Sequence, residues 1–196
     1  KPKKISDDLF FVDENPPQSF WAQNVWEDVQ IVPIKSVNDA VKKLRAVQKN
    51  WQLYSFKLHR RAQLIQDQLP TYLKEPVQFP TSLPKGGLGS WTLLDENILA
   101  YSAKCRSPFP NGKIQFVEDK MNPPSRAYLK LWEAFTLYQH YPTTADICLE
   151  LGASPGGWTW VLAEFSKNVI AIDRAPLEQK LSQNPNILFK TGDAFA

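Results

Sequence analysis

The sequence predicts an α/β protein in which the opening of a doubly wound parallel sheet follows a smaller α/β region. Three observations carry this. Residues 147–173 run as apolar strand, glycine loop, helical stretch, second strand and acid, the last being Asp173. Glycine is sparse, 8 in 196 residues, yet six fall in two clusters: Gly86, Gly87, Gly89 and Gly152, Gly156, Gly157. In so glycine-poor a chain, a cluster marks backbone that a side chain would obstruct. Proline, 16 residues in all, gathers between positions 70 and 124, and the two halves of the chain differ in charge. Residues 1–123 hold 17 Lys and Arg against 13 Asp and Glu, net +4, and residues 124–196 hold 6 against 7, net −1. An anionic partner is therefore sought on the first stretch, although a solvated surface explains a surplus of four about as well.

The first region, placed at 1–121, alternates short apolar runs with amphipathic stretches. Residues 9–12 and 29–32 suit strands. Ser36 can cap a helix in which Val37, Val41, Leu44 and Val47 fall at helical spacing. Residues 51–56 read as a strand and 59–69 as a helix ended by Pro70. Residues 75–90, with Pro76, Pro80, Pro84 and the first glycine cluster, read as irregular connection. Residues 91–94 and 98–101, on either side of Asp95-Glu96-Asn97, read as a β-hairpin. Residues 107–111 form another proline-broken turn.

The second region, 122–196, starts at Asn122-Pro123-Pro124, where prolines can open a helix but not continue one. Ser125 is the expected cap. Tyr128, Leu131, Trp132, Phe135 and Tyr138 then form a stripe that predicts a buried helix face. Residues 147–151 follow as a buried strand, 158–167 as a helix, 169–172 as a second strand ending in Asp173, and 187–189 as a third before Gly192-Asp193.

Composition excludes several classes. With 43% hydrophobic and 22% charged residues the chain is not disordered throughout. It has no apolar run of roughly 18 residues, so no membrane span is expected. Its opening Lys1-Pro2-Lys3-Lys4 is not followed by an apolar stretch, so no secretory signal is read there. Two cysteines, Cys105 and Cys148, and two histidines cannot build a disulfide framework, and no metal-ligand spacing joins them. A cytoplasmic protein with no metal is expected. The oligomeric state is not legible.

The loop Glu150-Leu151-Gly152-Ala153-Ser154-Pro155-Gly156-Gly157-Trp158 narrows the ligand. A dinucleotide fingerprint wants glycine at its third position so that pyrophosphate can approach the backbone, and Ser154 stands there. A P-loop would follow Gly157 with Lys, and Trp158 stands there instead. A nucleoside without pyrophosphate fits, and S-adenosyl-L-methionine is such a ligand. Asp173 lies 21 residues after Gly152, matching the ~20-residue offset of a carboxylate that takes ribose hydroxyls. Asp193, ending the third strand, is placed to accept from an adenine amino group. The plain alternative is an ordinary strand–helix turn.

Pro124-Ser125-Arg126-Ala127-Tyr128-Leu129-Lys130-Leu131, together with Leu151 to Trp158, resembles the FtsJ-like RNA ribose 2′-O-methyltransferases. Among them it is most similar to the RlmM type, which acts on large-subunit ribosomal RNA and carries a THUMP-containing RNA-binding region before its catalytic domain. The close resemblance covers about residues 105–196 and includes Ser107-Pro108-Phe109; residues 1–104 match in general pattern. It implies a Rossmann-like methyltransferase domain, S-adenosyl-L-methionine as cofactor, RNA as partner, and cofactor contacts at Ala127, Gly152, Ser154, Pro155, Gly156, Gly157, Trp158, Asp173 and Asp193. It also implies a catalytic set of lysine, aspartate, second lysine and glutamate, of which only the first has a counterpart here, Lys130. The other three are expected beyond Ala196, so the domain is expected to be incomplete in this chain. The strand at 147–151 would then lack one neighbour and expose an apolar edge and face.

Bland readings stand beside these. Lys130 could be a solvated helix lysine paired with Glu133 or lying over Trp132. Arg126 could hold a phosphate or a surface ion pair. Lys57 with His59-Arg60-Arg61 could meet RNA phosphates or form a solvated helix face. A non-catalytic RNA-binding protein with a methyltransferase-like fold is the rival to an enzyme.

Overall fold

The computed structural model describes residues 3–6, 8–12 and 21–193. It is α/β and divides into two compact units, Lys1–Glu75 with Leu83–Ile114, and Pro76–Ser82 with Gln115–Ala196. The second unit thus takes in part of the proline-rich stretch expected to be connection. Val77 pairs with Phe116 in an isolated bridge, and Phe79 stacks on Trp132 with ring centroids 4.5 Å apart.

In the first unit β1 (Lys3–Lys4) and β2 (Phe10–Phe11) form an exposed antiparallel pair. β3 (Trp26–Glu27), β4 (Gln30–Pro33), α1 (Val37–Val47), β5 (Trp51–Leu53) and α2 (His59–Gln66) follow, then β6 (Gly89–Asp95), β7 (Ile98–Ser102) and β8 (Lys104–Cys105). The main sheet has the order β4-β7-β6-β5, and β5 and β6 are its one parallel pair. Ser36 caps α1 as expected, its hydroxyl accepting from the Asp39 N–H. The core gathers Leu44, Trp51, Ile65, Trp91, Leu93 and Leu99. Its two tryptophans satisfy their indole N–H groups, Trp51 on the Leu44 and Gln48 carbonyls and Trp91 on the Gln66 amide oxygen. The hairpin is present, but β6 starts at Gly89, whose N–H bonds the Asn50 carbonyl, so that part of the expected connection is strand. β5 is shorter than the predicted 51–56: past Tyr54 the Ser55 hydroxyl bonds the His59 ring and Leu58 turns at φ 52 into α2. α2 in turn stops at Gln66, where the Asp67 N–H caps the helix end.

The second unit contains α3 (Tyr128–Tyr138), β9 (Ile147–Leu151), α4 (Gly157–Phe165), β10 (Asn168–Asp173), α5 (Gln179–Ser182) and β11 (Ile187–Thr191). The strands form a parallel sheet in the order β11-β10-β9. Ser125 does not cap α3. Ala127 occupies the cap without a side-chain bond, and the Ser125 hydroxyl accepts from the Ala127 N–H. The buried stripe of α3 is Tyr128, Leu131, Trp132 and Thr136, and Tyr138 is 75% exposed. Residues 128, 132 and 136 keep one face at strict i+4 spacing, and Tyr138 in the last turn lies off it.

β9 is not the buried strand its composition predicts. Among the described residues it is an edge, paired only with β10, and Ile147, Leu149 and Leu151 are 63%, 60% and 53% exposed. The alternate residues explain this: Glu150 of β9 is buried opposite Ala171 of β10, on the face that α4 packs against, whereas Leu149 opposite Ile170 points the other way. Leu188 of β11, also opposite Ile170, is exposed on that same face. The exposed edge and face expected for this strand are therefore present.

Candidate cofactor site

The glycine loop leaves β9 at Leu151 and crosses the end of β10, where the Ile172 carbonyl accepts from the N–H groups of Gly152 and Ala153. The bend requires glycine at two places. Gly156 has φ 111, and a Cβ there would lie 2.2 Å from Leu181 Cδ1. At Gly157 a Cβ would lie 2.5 Å from the Ser125 hydroxyl and 3.3 Å from the Ala127 Cβ. That absent side chain lets the start of α4 meet the start of α3. Trp158 locks the contact: its indole N–H donates to the Ala127 carbonyl at 2.9 Å, while its ring remains 41% exposed. Gly152 has open space where its Cβ would be.

Asp173 ends β10 and ties the loop down. One carboxylate oxygen accepts from the Ser154 N–H at 2.8 Å and the other from the Ala175 N–H at 2.9 Å. These bonds, that to Ala175 first, hold the carboxyl below its ordinary pKa, so it stays ionised. The Ser154 hydroxyl donates to the Pro176 carbonyl at 2.8 Å, joining the loop to the segment after β10. A carboxylate offers about four acceptor positions. Asp173 engages the Ser154 and Ala175 N–H groups and, more weakly, that of Arg174, so acceptor capacity remains for a ligand's hydroxyl. The residues thus fit a nucleoside: an open glycine, a loop held by an acid, and further acceptor capacity on that acid.

Asp193 follows β11 and pairs with the Arg174 guanidinium. Lys130 lies in the first turn of α3, its N–H bonded to the same Ala127 carbonyl that Trp158 uses. Its side chain is exposed and, among the described residues, makes no ion pair with Glu133. Arg126 pairs with Glu118 at 2.6 Å, the surface-pair reading of that residue. The structure therefore brings Ala127, Gly157 and Trp158 together, ties Ser154 to Asp173, and gives Asp193 a cationic neighbour.

Glu150 had no role in the sequence reading. It is 7% exposed and accepts from the Thr159 hydroxyl at 2.5 Å, so strand β9 and helix α4 are joined beneath the loop. Burial pushes its carboxyl up. The signal available in the sequence was a lone acid inside the apolar run Ile147-Cys148-Leu149-Glu150-Leu151. An open cleft of about 590 Å³ in this unit, lined by Trp132, Trp160, Glu164 and Lys180 among others, includes none of residues 152–158. No helix is long and apolar enough to cross a membrane, and no group of three His, Cys, Asp or Glu is placed to hold a metal, among the described residues.

Residues 123–196 match the FtsJ-like methyltransferase family. Several curated relatives carry one name, Ribosomal RNA large subunit methyltransferase M. That of Halorhodospira halophila is 39% identical over 93 residues, 46% of this chain and 27% of that protein. That of Marinomonas sp. is 38% identical over 99 residues, 47% and 28% of the two chains. That of Marinobacter nauticus is 35% identical over 97 residues, 46% and 27%. The chain thus spans about a quarter of the length of these relatives. The match bears out the resemblance read from the Ser-Arg/Leu-Lys-Leu helix and the glycine loop.

Proposed function

We propose that residues 122–196 are the cofactor-binding part of a Rossmann-like, S-adenosyl-L-methionine-dependent methyltransferase acting on the ribose 2′-hydroxyl of large-subunit ribosomal RNA. Residues 1–121 are its THUMP-like RNA-binding region, and the protein works in the cytoplasm. The observation that carries the reading is the loop 152–158, held by Asp173 and packed on the start of α3. The relatives' name supports the substrate class. It does not favour the rival, a non-catalytic RNA-binding protein.

Gly152, Ser154, Pro155, Gly156, Gly157 and Trp158 supply the bend that holds the cofactor, with Ala127 contributing backbone. Asp173 takes the ribose hydroxyls and Asp193 the adenine amino group, with Arg174 as its neighbour. S-adenosyl-L-methionine, when bound, supplies a sulfonium methyl for in-line transfer to an oxygen. A neutral 2′-hydroxyl is a poor nucleophile, and the Lys130 ammonium stabilises the alkoxide character that develops on it. The apolar edge of β9 is where further strands of such a domain would pair.

Transfer of labelled methyl groups tests this in the natural-length protein. RNA accepts the label and the matching DNA does not, because only RNA offers the 2′-hydroxyl. Lys130→Ala lowers turnover at least about 100-fold, the scale of losing one electrostatic stabiliser, and leaves cofactor affinity nearly unchanged. A variant with wild-type turnover makes Lys130 a surface lysine.

A further inference from the structure

The surface of the first unit has an open depression of about 560 Å³ at the start of α2. Leu58 and Leu64 give it an apolar lining, Arg60 and Arg61 supply its cationic groups, and the His59 ring lines it beside them. The arginines single it out. Of the six in the chain, Arg45 bonds the Gln68 carbonyl, and Arg106, Arg126 and Arg174 pair with Glu27, Glu118 and Asp193. Among the described residues Arg60 and Arg61 have no such partner, and the Arg61 Nε is buried with its N–H unsatisfied. Glu96, the acid lining the depression, makes no ion pair with either among the described residues.

Their position makes this costly. Both lie in the first turn of α2, which contains no acid and has no side-chain cap. Orphan N–H groups and the positive end of the helix dipole already sit there, so cations are disfavoured and an anion is favoured. Lys57, over the Phe56 ring at 5.5 Å, adds a further cation two residues before the helix. An uncompensated arrangement of this kind is relieved by a phosphate, and the apolar lining suits the nucleoside attached to it.

We infer that Arg60 and Arg61, at the start of α2, form a phosphodiester-binding site of the first unit that holds the RNA substrate. This rests on RNA being the substrate and adds where the chain grips it. The test is fluorescence anisotropy of a labelled single-stranded RNA with the full chain, across a salt series. Arg60→Gln/Arg61→Gln weakens binding at least about tenfold and lowers the log–log salt slope by about 1.4, at ~0.7 per single-strand phosphate released. Arg106→Gln, which removes an ion-paired arginine of the same unit, leaves both quantities unchanged. Arg60 is exposed, so Arg60→Gln alone keeps the fold and lowers the slope by about 0.7 should the double variant unfold. An unchanged slope, an equal loss in Arg106→Gln, or displacement of the RNA by equimolar inorganic phosphate overturns the inference. S-adenosyl-L-methionine titration of the same proteins separates the two claims. Loss of RNA binding with intact cofactor binding belongs to this site, whereas a wild-type chain that binds RNA through these arginines and no cofactor counts against the methyltransferase reading alone.

Discussion

Asp173 holds the Ser154 N–H of the loop and the Ala175 N–H of the segment after β10, and has acceptor capacity left for a ligand. Asp173→Ala therefore weakens S-adenosyl-L-methionine roughly tenfold, within the range for unpairing a hydrogen-bonded polar group. Glu150 behaves in the opposite sense. Burial raises its folded pKa above the unfolded value near ~4.3, so its contribution is fully present below that pH and is lost as pH rises through the folded value. Glu150→Gln keeps an oxygen for the Thr159 hydroxyl and carries no charge. Relative to wild type, it is more stable at pH 7 than at pH 4. Urea midpoints at the two pH values check this, and an equal difference at both removes the burial argument. The Asp173 spacing from Gly152 was legible because strand, helix and strand have characteristic lengths. The double anchorage was not, because it depends on backbone donors whose direction only the folded loop fixes.

At the scale of elements, the loop and helix starts carry local signals that survive folding. Ser36 caps α1, and Ser36→Ala costs about 1 kcal/mol in chemical denaturation. Gly156→Ala forces a Cβ against Leu181 at positive φ and costs about 1–3 kcal/mol by the same measurement. The strands at 147, 169 and 187 were legible for the same reason: each is a short apolar run between turn residues. Long-range packing was not legible. Nothing local says that Pro76–Ser82 joins the second unit, that Ser125 yields the cap to Ala127, or that Tyr138 falls off the buried stripe. The exposure of β9 is likewise decided by its neighbours, since an apolar run reads the same at a sheet's centre and at its edge.

At the scale of the whole molecule, the sheet of the second unit leaves Ile147, Leu149, Leu151 and Leu188 exposed on one apolar surface. Such a surface, continued by the open edge of β9, favours self-association. Light scattering of the 196-residue chain rises with concentration, and Leu149→Lys lowers it without lowering the unfolding midpoint; scattering unchanged by this substitution places the association elsewhere. Glu150, α4 and the start of the loop meet on the covered side of the same sheet. The claim that the loop is shaped for a nucleoside without pyrophosphate is tested most directly by isothermal titration of the chain with S-adenosyl-L-methionine and with a nicotinamide dinucleotide. S-adenosyl-L-methionine binds the tighter of the two, and Asp173→Ala weakens it. Tighter binding of the dinucleotide, or an affinity unchanged in Asp173→Ala, contradicts the account.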